Sequence, residues 1–106
     1  MNILIYPLYL IGNNKDHFVR HKEIIDININ IIESFNCVDE IRIVGKPVTN
    51  WSEMINDLMK QVETLLKEGK NVLVCEADNF IVEDFSDIFS LTKFTMFALS
   101  NNGSKL

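Results

Sequence analysis

Cysteine is scarce, with Cys37 and Cys75 the only two. Two isolated thiols make neither a disulfide framework nor a metal-ligand spacing. They predict a reducing, cytoplasmic compartment, with Cys75 an inert, buried apolar residue of its strand. Basic charge is scarce too: 10 Lys and Arg stand against 15 Asp and Glu, for a formal net charge of −5 and a pI near 4.9. A general nucleic-acid binder needs a basic footprint, so that class is excluded. An anionic substrate would be held by a metal or a few placed lysines, not by the overall field. There is no apolar run long enough to span a membrane. Met1 leads directly into a short strand without a basic n-region, so no signal peptide is expected. The 4 glycines form no GxGxxG or Walker pattern, and classical dinucleotide or P-loop binding finds no support. Internal repeats and low-complexity segments are absent.

What is present is an ordinary globular composition, 47% hydrophobic and 24% charged over 106 residues. That is one domain with a modest core, residues 1–106, and its polar end over 100–106 is expected to be mobile. The organising stretch is residues 71–84, NVLVCEADNFIVED. Val72-Leu73-Val74-Cys75 is a continuous apolar run, as a parallel strand buried on both faces reads. It ends in Glu76-Ala77-Asp78. In extended backbone the two acids point to the same side, at the carboxyl end of a central strand, where open α/β sheets bind ligands. Two hard oxygen ligands there make a seat for Mg²⁺ or Mn²⁺; equally, the acids could simply solvate a strand end.

In chain order, Asn2 to Tyr6 is a short apolar strand ended by Pro7, and residues 7–15 read as a loop with Gly12-Asn13-Asn14 as its turn. Asp16 is placed to cap a helix running to about Phe35. Within it, residues 25–31 alternate strictly as a strand would, but Ile25, Ile29 and Ile32 also keep helical spacing, and helix is expected. His17 and His21 lie four apart with no third ligand and read as a solvated face. Glu40 to Val44 is a second strand, closed by Gly45-Lys46-Pro47. Asn50 then caps a helix, with Glu53 three residues on in a capping-box arrangement. Trp51, Met54, Ile55, Leu58, Met59, Val62, Leu65 and Leu66 form its apolar stripe, read as core, and Gly69 stops it. After the acid pair, residues 79–82 read as a short strand, 84–89 as a helical turn or two, and Thr92 to Leu99 as a last apolar strand. The order β-α-β-α-β predicts an α/β fold, a parallel-rich Rossmann-like sheet with helices on its faces.

Residues 74–89, VCEADNFIVEDFSDIF, resemble the segment "hydrophobic-DADxLVLxDIDELF" of glycogenin-like retaining glycosyltransferases. These are GT-A-fold enzymes with a DxD metal motif. The match covers the acid pair, the apolar strand after it and the turn ending in Ile88-Phe89; the first Asp of the motif is Glu76 here. The resemblance is firmest from Lys60 to Phe89 and looser over most of the chain. It implies that Glu76 and Asp78 bind Mn²⁺ or Mg²⁺, and that Ala77 borders a nucleotide-diphospho-sugar. It also implies that Leu8 and Tyr9 wall the nucleotide base, although both residues could merely pack the strand end. In those enzymes a helix Lys sixteen positions before the first acid helps hold the donor, and Lys60 stands at that spacing.

Glycogenin-like enzymes are much longer, and their second half carries the acceptor site and a further His ligand. The chain therefore resembles the nucleotide-binding half of a GT-A domain: a fragment, a minimal relative, or a remnant that binds without turnover. The expectation is a glycosyltransferase-like protein that takes a UDP- or GDP-sugar through a divalent metal, with no supported nucleophile or base. The alternative is a small α/β interaction or structural domain without a ligand.

Overall fold

A computed structural model describes residues 1–76. Five strands and two helices follow in the order β1 (Asn2–Pro7), β2 (Leu10–Ile11), α1 (Lys15–Phe35), β3 (Glu40–Val44), β4 (Pro47–Val48), α2 (Trp51–Lys67) and β5 (Asn71–Val74). The principal sheet has the order β3-β1-β5, with both ladders parallel. An α/β fold with a small parallel sheet and two helices is therefore what the described residues form.

Strand β1 is its centre. Ile3, Leu4, Ile5 and Tyr6 are each 0% exposed, because successive side chains enter opposite cores. Ile3 and Ile5 join Tyr9 and Met54, Leu58, Val62 and Leu65 of α2. Leu4 and Tyr6 join Leu8, Cys37 and Ile25 and Ile32 of α1. The two helices thus cover opposite faces. The buried-on-both-faces role expected of Val72–Cys75 belongs to β1 instead. Val72 and Leu73 are half-buried and Val74 is 37% exposed. Among the described residues β5 has one neighbour, β1, and the Cys75 N–H extends that ladder by donating to the Ile5 carbonyl at 2.9 Å.

Helix α1 confirms that the helical period outweighs the alternation at 25–31: Ile25, Asn28 and Ile32 are buried, while Ile27 is 49% exposed. Its cap is Asn14, not Asp16. The Asn14 side chain accepts from the His17 N–H at 3.3 Å, which leaves Asp16 in the first turn, where its charge suits the helix dipole. The helix ends at Asn36, which takes the left-handed conformation at φ 53°. Helix α2 is capped as its sequence predicts: Asn50 Oδ1 accepts from the Glu53 N–H, and Glu53 Oε2 accepts from the Thr49 N–H. Gly69, at φ +80°, closes it, with Gly69 N–H donating to Leu66 and Lys70 N–H to Leu65.

Two expectations need correction. The eight-residue stripe of α2 is not all core: Met54, Leu58, Val62 and Leu65 are buried, whereas Trp51 is 64% and Met59 49% exposed, with Ile55 and Leu66 also outside. The eight positions wrap too far round the helix for a single sheet face to cover them all. The segments read as loops after β1 and β3 also meet, since Leu10–Ile11 pairs in parallel with Pro47–Val48. Residues 77–106, and with them the readings of Ala77, Asp78, the short strand, the helical turn, the last strand and the tail, lie outside the described residues.

Gly45 allows the two connections to approach. A Cβ there would overlap the Leu8 carbonyl group, and it would stand 3.2 Å from the Tyr9 nitrogen. Both neighbours are backbone atoms and neither can swing away. Gly45→Ala is expected to cost about 1–3 kcal/mol, as overpacking of a fitted interior does. Urea unfolding would register this as a lower midpoint at unchanged slope, and an unaltered midpoint would contradict the close approach.

Candidate functional site

Crossover β1-α1-β3 runs to one side of β1 across one face, and crossover β3-α2-β5 returns across the other face, past β1, to its opposite side. The gap between the carboxyl ends of β1 and β5 is therefore the topological switch point, where open parallel sheets accept ligands. Leu8 and Tyr9 follow β1 at this edge, and Cys75 and Glu76 follow β5.

Tyr9 is buried among the side chains beneath α2, and its hydroxyl donates to Asp57 Oδ2 at 2.7 Å. The other carboxylate oxygen of Asp57 lies 3.3 Å from Lys46 Nζ, in a pair whose acid side chain is 19% exposed. Hydrogen bonding from Tyr9, then Lys46, with the charge of Lys60 adding to it, holds the Asp57 carboxyl below its usual value. Burial and the same hydrogen bond raise the Tyr9 phenol above its ordinary range. A chain of Tyr9, Asp57 and Lys46 thus joins the loop after β1 to α2 and to the turn after β3. Lys60 stands one turn further along α2, exposed to solvent.

Leu8 goes the other way. It packs on the α1 side and lines a cavity of about 310 Å³ with Leu10, Phe18, Ile43, Gly45, Lys46 and Pro47. The two residues read as one wall therefore diverge to opposite faces of the sheet, as neighbours in extended backbone do. Glu76 is exposed at the end of β5. Val72 lies on the α2 face of β5, and strand alternation continued past Val74 predicts that same face for Glu76. Glu76, Tyr9, Asp57 and Lys60 thus belong to one side of the switch point. Asp78 and Ala77 lie outside the described residues.

Glu76 fits one hard-oxygen position of a divalent site; among the described residues no group of three or more His, Cys, Asp or Glu could hold a metal. His17 and His21 lie with tilted rings, centroids 3.9 Å apart, on the first turns of α1. Cys75 is half-buried, not enclosed as its strand predicts, and burial pushes its thiol up to about 11, which keeps it protonated near neutrality. Tyr6 Oη, buried beside it, has no hydrogen-bond partner among the described residues. Among those residues no helix is long and apolar enough to cross a membrane.

The sequence reading missed Asp57 and Lys46. The available signal was a carboxylate set between the buried positions Met54 and Leu58, one residue off the core stripe, where an acid needs a partner. Comparison with known proteins supplies no precedent: no family model, no curated protein and no solved structure matches the chain.

The Tyr9 hydroxyl sets the Asp57 titration. Because the folded value is depressed, the stabilisation from this carboxylate is present above the ordinary aspartate pKa. It is lost as pH falls through the lowered folded value. Tyr9→Phe is expected to move the Asp57 carboxyl titration upward, toward the ordinary value, in ¹³C-detected NMR. An unmoved titration would show that the hydrogen bond does not form.

Proposed function

We propose that this chain is the nucleotide-binding half of a GT-A-like domain. On this reading it binds a nucleotide-diphospho-sugar, a UDP- or GDP-sugar, at the β1/β5 switch point. The observation that carries the reading is the strand order β3-β1-β5, with Glu76 and the Tyr9–Asp57 pair on one side of that crevice. A divalent ion, Mn²⁺ or Mg²⁺, would neutralise the diphosphate. Glu76 and Asp78 would hold it, and Lys60 would meet phosphate oxygens. Asp57 keeps Lys46 and the Tyr9 ring in place beside them, so that Tyr9, and not Leu8 on the opposite face, would wall the nucleotide base, with Ala77 bordering the nucleotide-sugar. The inert thiol of Cys75 suits a reducing, cytoplasmic setting. No residue is assigned as nucleophile or base.

Calorimetry with UDP or GDP, each with and without Mn²⁺, tests this. Glu76→Gln and Asp78→Asn should weaken nucleotide binding only when the ion is present, because each loses charge that holds the cation. Lys60→Ala should weaken it about tenfold or more while leaving the metal dependence intact. Wild-type protein that binds neither nucleotide would leave a ligand-free interaction domain as the better reading.

A further inference from the structure

Among the described residues strand β3 is an outer strand of the sheet, its one ladder being with β1. Exposed edges are ordinarily blunted by proline, charged side chains or a bulge. Glu40–Val44, EIRIV, has no proline, and its two charges are of opposite sign and paired with each other. The Val44 carbonyl accepts from the Leu8 N–H, so alternation turns the peptide groups of Glu40, Arg42 and Val44 toward β1. Those of Ile41 and Ile43 then point away from the sheet, open to a further strand.

The side chains are as orderly as the peptides. Glu40 and Arg42 share the α2 face, joined at 2.7 Å through Arg42 Nε and both half-buried. Ile41 and Ile43 share the α1 face, as their partners Leu4 and Tyr6 do, and Ile43 is 45% exposed. Between this face and α1 lies an open groove of about 430 Å³ whose apolar lining is Ile29, Ile32, Val38, Ile41 and Ile43.

We propose that this edge is a self-association surface whose occupant is β3 of a second copy, antiparallel and two-fold related, with Ile41 opposite Ile41. Charge complementarity selects both the partner and the register. With Ile41 on the axis, Glu40 faces Arg42 of the partner subunit, and the same pairing recurs on the other side of the axis. The existing Glu40–Arg42 pair becomes a ring of four alternating charges. The outward peptide groups of the two Ile41 residues exchange both hydrogen bonds. Centring on Arg42 would oppose two arginines, and centring on Glu40 two glutamates, both unfavourable. An odd shift would turn the isoleucines onto the charged face. On the α1 side the grooves of the two copies meet, so Ile41 and Ile43 are covered from both.

The test is sedimentation of the full chain over a concentration series, with a melting curve recorded for each variant. Wild-type protein should show a monomer–dimer equilibrium that weakens as salt is raised. Glu40→Arg alone and Arg42→Glu alone each place like charges opposite twice, and should weaken dimerisation about tenfold or more. The double variant restores the alternation with signs exchanged and should recover dimerisation to within about threefold of wild type. If a reversal prevents folding, Glu40→Gln and Arg42→Gln carry the same comparison at smaller amplitude. A wild-type chain monomeric at every concentration would overturn the proposal, whether or not a different protein takes the edge. A dimer indifferent to the single reversals, or a double variant as weak as the singles, would overturn it too.

Discussion

Everything in this molecule hangs on the burial of β1 from both sides. Four consecutive residues, Ile3 to Tyr6, are wholly enclosed, and each large apolar side chain so enclosed contributes about 1.5–3 kcal/mol. Because they alternate, neither helix can satisfy the strand alone: α2 covers Ile3 and Ile5, and α1 covers Leu4 and Tyr6. The chain must therefore leave β1 toward one edge, return, and cross to the other. That requirement yields the order β3-β1-β5, and with it a crevice at the carboxyl end of the central strand.

The crevice inherits its chemistry from what the two crossovers deliver. The loop after β1 brings Tyr9, the turn after β3 brings Lys46, and α2 brings Asp57, which binds both. This triad ties α2 to the two segments that follow β1 and β3, which also pair with each other through Leu10–Ile11 and Pro47–Val48. Gly45, whose missing side chain admits the Leu8 carbonyl, completes the fit. Strand β3, on the other side of β1, carries a different pattern: paired charges on one face, isoleucines on the other, and peptide groups between that no described strand pairs. Ligand crevice and strand edge are separate consequences of one topology.

Much of this was legible in the sequence, for reasons that can be named. Strands β1 and β3, the Asn50–Glu53 cap and the Gly69 stop all rest on local signals: apolar runs, side-chain capping and a left-handed glycine. The pair of two-residue strands, Leu10–Ile11 with Pro47–Val48, was not legible, because two residues carry no periodicity. Trp51 and Met59 misled for the opposite reason, since hydrophobicity names candidates for burial but not the width of the face available. The doubly buried strand is β1 and not β5, as both are apolar runs and only tertiary packing, complete over Ile3–Tyr6 and partial over Val72–Val74, tells them apart. The Tyr9–Asp57 bond spans 48 positions, beyond any local pattern. Glu76 was legible as a strand-end acid, and its side of the sheet follows from register alone.

Paramagnetic broadening is the most direct measure of whether this crevice is a metal–nucleotide site. In an amide-resolved spectrum, substoichiometric Mn²⁺ added with UDP should broaden Leu8, Tyr9, Cys75 and Glu76 and spare Ile29, Asn36 and Asp39 on the far edge. Broadening confined to the switch point is the predicted result. Broadening spread over the acidic surface, with those four amides left sharp, would contradict it.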